Sequence, residues 1–234
     1  MNNISSKTAL TTNYKGILLD LIIYLSVMFL VREIYFPKIG FIANGLFWSV
    51  TTLLVATWRM KVRGVTWRDL GLVKPNNLWK TLGISVIIFV TIIISMIIFE
   101  LLKDQFPSSI SPDNSSENAI SKFGNLKGDW LAFFSIIPMI LLESLLEELL
   151  DRGFLMNWFE KLFSTTSFAT VIAVLLQAVI FGFRHSNDFS ERSITVGIIG
   201  LIMGIAYVKF RRNLWPLIIA HCILNSMSMI ERVL

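Results

Sequence analysis

The chain has 234 residues, of which 54% are hydrophobic, and its mean hydropathy is +0.67. A soluble domain of this size would not carry several apolar runs of spanning length, so the composition excludes one. The formal charge of +5 lies mostly on loops beside those runs, which excludes a nucleic-acid-binding role, and the lone cysteine, Cys222, excludes an intrachain disulfide.

Seven continuous apolar runs predict an all-α polytopic transmembrane bundle, with spans near 16–31, 39–57, 82–102, 130–150, 167–184, 194–209 and 214–230. Continuous runs exclude a barrel, whose strands alternate. The first run is followed by bulky residues, Met28-Phe29-Leu30-Val31-Arg32, rather than a small-residue cleavage pattern, so it reads as a retained span. The 58–81 segment, with Trp67-Arg68-Asp69-Leu70-Gly71-Leu72, mixes basic and apolar residues and suits the membrane interface. The segment from Lys103 to Lys127 has no apolar period and predicts an irregular loop; it contains a formal glycosylation acceptor, Asn114-Ser115-Ser116. Six of the seven Trp lie near predicted span ends, as an aromatic belt requires. Gly200 and Gly204 form a small-xxx-small pair, read as a helix-packing face. No repeat or linker divides the chain, so residues 1–234 read as one membrane domain.

The alternating loops carry unequal numbers of Lys and Arg. The set containing the N-terminus and the 58–81, 151–166 and 209–213 segments has 13, and the other set has 8. The positive-inside rule therefore predicts a cytoplasmic N-terminus and an external C-terminus. The Ile-, Asn- and Lys-rich character is that of a bacterial plasma-membrane protein.

Ionisable groups at bilayer depth mark sites. Glu147 and Glu148 interrupt the fourth run, and Arg152 follows. Residues four apart share a helical face, so Glu148 and Arg152 predict a buried ion pair, while Glu147 is turned about 100° away and Glu143 shares its face. His221 and Asn225 share a face, as do Phe181 and His185. A carboxylate in an apolar site is a suitable base, an imidazole can orient a water, and an imidazole with an amide can donate to an oxyanion. These parts point to a buried hydrolytic centre. Asp20 is expected to snorkel or bond a neighbouring helix, and Cys222 is expected to be a packing residue. If the fourth helix ended at Leu150, Glu147 and His185 would lie over 20 Å apart in depth; a site requires that helix to continue to about Phe163.

Glu147-Glu148-xxx-Arg152, Phe181-xxx-His185 and His221-xxx-Asn225, in that order, resemble the three motifs of the CPBP intramembrane proteases. That family includes the type II CAAX prenyl endopeptidases and the bacteriocin-processing or self-immunity (Abi) proteins. Asn213-Leu214-Trp215-Pro216 and Asp69-Leu70-Gly71-Leu72 are also similar. The resemblance covers about residues 130–230 as a catalytic core. It implies peptide-bond hydrolysis within the membrane, with Glu147 and His185 activating water, His221 and Asn225 forming an oxyanion hole, and Glu148 and Arg152 supporting them. Asp151 departs from the family, where an aromatic often precedes the Arg, and an extra charge there is expected to disturb Arg152. Zinc on Glu147, His185 and His221 is an alternative, but HExxH is absent and a metal-free glutamate mechanism is preferred.

The reading is an endopeptidase acting on a membrane-associated peptide or lipoprotein, with lipid as its surroundings and prenylated substrates not expected in a bacterium. The alternative is a non-catalytic immunity or scaffold protein binding a bacteriocin or a partner membrane enzyme. A proton-linked transporter is disfavoured, because two halves with broken-helix repeats are absent.

Overall fold

A computed structural model describes residues 14–105, 123–186 and 190–234. Among them are seven long helices and no strand: α1 (Tyr14–Leu30), α2 (Gly40–Val62), α3 (Leu78–Leu102), α4 (Trp130–Leu162), α5 (Ala169–Ser186), α6 (Glu191–Lys209) and α7 (Trp215–Val233). They match the seven predicted spans in number and order. The N-terminal Lys7, the Asn114-Ser115-Ser116 acceptor and most of the irregular loop lie outside the described residues.

Helices α1 to α6 are long and apolar enough to cross a membrane, α1 together with the turn to Glu33 and α2 from Pro37. Helix α7 has the length of a span, 19 residues, but not its composition. It carries His221, Asn225, Ser226, Ser228, Glu231 and Arg232. A helix with this polar content is stable at membrane depth when its polar face turns to protein, and α7 packs against α3 and α4.

The largest difference from the sequence reading is α4. The predicted span stops at Leu150, whereas the helix runs 33 residues to Leu162, about 50 Å at 1.5 Å per residue. Within it, Leu149–Leu155 is a π-helical stretch, with the Met156 amide bonding back to the Asp151 carbonyl. The polar residues that hid the continuation are all partnered. Asn157 donates to the Arg152 and Gly153 carbonyls and to the Tyr207 hydroxyl at 3.0, 2.8 and 3.0 Å. Glu160 accepts from Arg212 at 2.7 Å, and Lys161 lies 4.3 Å over the Trp158 ring.

Asp20 is bonded to neighbouring helices rather than snorkelling. It is fully buried, and its carboxylate receives Arg59 at 2.6 Å, Arg63 at 2.7 Å and the Trp158 indole N–H at 3.1 Å. One carboxylate thus ties α1 to α2 and α4. Removing it strands Arg59, only 8% exposed, while Arg63 can turn to solvent. Asp20→Ala is therefore expected to cost about 3 kcal/mol, the low end for a broken buried pair. Thermal unfolding in detergent measures this; an unchanged midpoint would show that the cluster carries no stability.

Helices α5 and α6 meet closely because glycines face across them. A side chain at Gly182 would strike the Ser193 carbonyl at 2.4 Å, and one at Gly200 would crowd Phe181 at 3.0 Å. The small-xxx-small pair is a packing face, as expected. The 63–77 segment is a series of turns docked on the protein. Tyr207 donates to the Leu70 carbonyl at 2.7 Å, and the Leu214 amide donates to the Gly71 carbonyl at 3.0 Å. Gly71 has a φ of +98°, and an added Cβ would lie 1.8 Å from the Arg212 carbonyl oxygen, so only glycine fits there. The Thr66 hydroxyl and amide bond Asp69 and hold its carboxyl below the usual range. This loop braces the turn that launches α7, the helix carrying the third motif.

Candidate active site

Because α4 continues to Leu162, Glu147 lies near the middle of a long helix rather than at its end. The depth conflict in the sequence reading disappears: Glu147 Oε1 is 3.4 Å from His185 Nε2, and Glu147 Oε2 is 3.6 Å from His221 Nε2. Three helices, α4, α5 and α7, each contribute one group.

The ring nitrogens can be assigned from their partners. His185 Nδ1 lies 2.7 Å from the Phe181 carbonyl. A carbonyl only accepts, so Nδ1 carries the proton and Nε2 of the neutral ring presents a lone pair to Glu147. His221 Nδ1 lies 2.7 Å from Glu148 Oε1, so by the same logic its Nε2 also faces Glu147. With both rings neutral, the two Nε2 atoms and the two oxygens of Glu147 are all acceptors, and a water between them would supply the proton they lack. A water placed there donates one hydrogen to Glu147 and one to His185, leaving its own lone pair free. In the neutral ring His221 Nε2 cannot donate; it becomes a donor only as imidazolium.

Behind this layer, the expected ion pair is present. Arg152 Nη1 is 3.0 Å from Glu148 Oε1, and both side chains are fully buried. Arg152 also donates to the Gly200 carbonyl at 3.4 Å and lies 4.5 Å over the Phe181 ring. Glu148 thus does more than pair with Arg152: it also holds the His221 ring. The aromatic of the second motif is a platform, with the Arg184 guanidinium 5.4 Å from its centroid as well.

Asn225 donates to Ser144 Oγ at 2.9 Å, and Ser144 donates to the Ile140 carbonyl at 2.9 Å. One hydrogen of the Asn225 amide remains available. A cavity of about 270 Å³ is lined by Glu147, His185 and Asn225, together with Glu143 and Arg184. His221 Nε2 faces Glu147 at 3.6 Å, and Glu148 and Arg152 stand behind the His221 ring.

Arg184, the last residue of the predicted 167–184 span, is a site residue that the motif spacing does not reveal. It is 3% exposed and bridges two carboxylates, Glu147 at 3.1 Å and Asp151 at 2.9 Å. This also corrects the expectation for Asp151. The extra acid does not disturb Arg152; it turns to Arg184, and each guanidinium keeps its own carboxylate. The signal was present in the sequence, since an added buried acid requires an added buried base and Arg184 directly precedes the motif histidine. Glu143, one turn before Glu147, accepts from Ser49 Oγ. Cys222, half-buried, donates weakly to the Leu141 carbonyl at 3.8 Å, a packing position. Among the described residues no group of three or more His, Cys, Asp or Glu is arranged to hold a metal ion, and the cation beside Glu147 is a guanidinium.

Residues 129–227 match the family model described as Rce1-like, type II CAAX prenyl endopeptidase. The match contains all three motifs. No curated protein and no solved structure matches the chain.

Proposed function

From the match of residues 129–227 to the Rce1-like model of type II CAAX prenyl endopeptidases, we propose that the protein is a glutamate-dependent intramembrane endopeptidase. Its substrate would be a membrane-associated peptide or lipoprotein. The observation that carries this reading is the approach of His185 and His221, on two other helices, to the two oxygens of Glu147 at 3.4 and 3.6 Å. A single water there is polarised by a carboxylate and an imidazole together.

In this mechanism the water oxygen attacks the scissile carbonyl carbon while its proton passes to Glu147. The free hydrogen of Asn225 Nδ2 meets the developing oxyanion, and His221, when protonated, donates from Nε2. Glu148 and Arg152 keep the His221 ring in place. As the tetrahedral intermediate collapses, the proton on Glu147 goes to the leaving amine. Arg184 supplies counter-charge to Glu147 and orients it. The proposal needs no metal; zinc on Glu147, His185 and His221 is the alternative that chelation tests.

Asn225→Ala removes one oxyanion donor and is expected to lower the cleavage rate by about 10²–10³-fold with little change in substrate affinity. Kinetics on a membrane peptide in detergent measure both. A variant that loses affinity and keeps its turnover would place Asn225 in ground-state binding instead.

The excess of Lys and Arg on the N-terminal side supports a cytoplasmic N-terminus. The cavity extends to the opposite helix ends, at Arg32, Arg192 and Arg232. In that orientation the site receives its substrate from the outer face.

A further inference from the structure

The cavity wall is chemically divided. Glu143 and Glu147 line its inner part from the middle of α4, whereas Arg32, Arg192 and Arg232 line its outer part from the ends of α1, α6 and α7. Four arginines line it against two glutamates, once Arg184 is included. Arg184 is neutralised by Glu147 and Asp151. Among the described residues, the outer three form no ion pair. Arg32 donates to the Arg184 carbonyl and lies 5.7 Å from the Trp48 ring centroid. Arg232 lies 5.8 Å from the Phe123 ring centroid. Arg192 Nε is buried and has no hydrogen-bond partner among the described residues. The aromatic contacts hold two of the guanidiniums at the cavity without neutralising them.

Guanidinium groups drawn out of water need an anion, and carboxylate matches their planar fork in a bidentate pair. We infer that the outer half of this cavity is a carboxylate subsite: the substrate presents a peptide carboxylate, an acidic side chain or a free chain terminus, to Arg32, Arg192 and Arg232. This rests on the peptidase reading of Glu147. The division of charge also sets direction. Glu143 and Glu147 repel the carboxylate from the inner wall, so it docks outward and the neutral peptide bond lies inward. A phospholipid headgroup is the less suited occupant, because it would close the passage to Glu147.

The test separates binding from cleavage by using the full-length Glu147→Gln variant in nanodiscs of phosphatidylcholine. Three fluorescent apolar peptides of one sequence are titrated: a free C-terminal acid, its amide, and the amide with one internal Gln replaced by Glu. One or both carboxylate peptides are expected to bind about tenfold or more tightly than the neutral amide. Which of the two does so identifies the source of the carboxylate. The preference should vanish in Arg192→Gln/Arg232→Gln and persist in Arg192→Lys/Arg232→Lys, which keeps the charge. Both positions are half-buried at helix ends, so neither variant empties the core. Equal binding of all three peptides overturns the subsite. So does a preference abolished by added phosphatidylglycerol in the membrane, which would make the site a lipid one. Cleavage by the wild type without any charge preference would refute the subsite and leave the peptidase standing. A preserved preference without cleavage would do the reverse.

Discussion

Glu147→Gln is expected to abolish peptide cleavage while leaving the protein folded. Gln keeps the volume of Glu and an oxygen that accepts from Arg184, and Arg184 retains Asp151 at 2.9 Å, so no buried cation is stranded. What disappears is the base. Loss of general-base catalysis costs about 10²–10⁴-fold, and His185 Nε2, which faces the same water position, supplies only the residual rate. Cleavage of a membrane peptide by purified protein in detergent, with and without a chelator, is the measurement. Undiminished activity in Glu147→Gln would sink the glutamate mechanism. The wild type is expected to keep its activity in chelator; loss that zinc restores would favour the metalloprotease alternative.

Arg152→Ala is expected to damage both stability and activity. Arg152 and Glu148 are fully buried, and one Glu148 oxygen already has no hydrogen-bond partner among the described residues. Truncating the arginine leaves the carboxylate with His221 alone. The cost of an uncompensated buried charge is about 3–5 kcal/mol, a fall in melting temperature of roughly 6–20 °C for a chain of this size. Activity falls too, since His221 is held through Glu148. Arg152→Lys should recover part of the stability and little of the activity, because a point charge cannot reach both Glu148 and the Gly200 carbonyl. A variant that expresses and melts like wild type would mean that the pair does not hold the core.

The helices were legible because each is a continuous apolar run, and the Glu148–Arg152 pair because four residues make one turn. The length of α4 was not. Asp151, Arg152, Asn157, Glu160 and Lys161 look like a loop in one dimension, and only their partners on other helices show that they are buried or braced. Arg184 was missed for a related reason: the apolar run stops there, but α5 continues to Ser186 and carries the arginine into the interior. Asp20 was visible as an anomaly, yet its partners Arg59, Arg63 and Trp158 are distant in sequence. That His221 faces Glu147 while Glu148 and Arg152 stand behind its ring depends on how α7 seats against α4, which no spacing rule contains.

The π-helical stretch Leu149–Leu155 has a genetic consequence. A π turn is an α-helix with one residue too many, the extra residue absorbed as a bulge. Deleting one codon between Leu149 and Leu155 therefore lets α4 relax into an unbroken α-helix instead of breaking it. Because the bulge absorbs the extra residue locally, the helix beyond the deletion keeps its phase relative to Glu147, and Asn157, Trp158 and Glu160 still face their partners. A one-residue deletion at Phe154 or Leu155, which leaves the Glu148–Arg152 and Asp151–Arg184 pairs in register, should thus be better tolerated than one in the α-helical turn before Glu147.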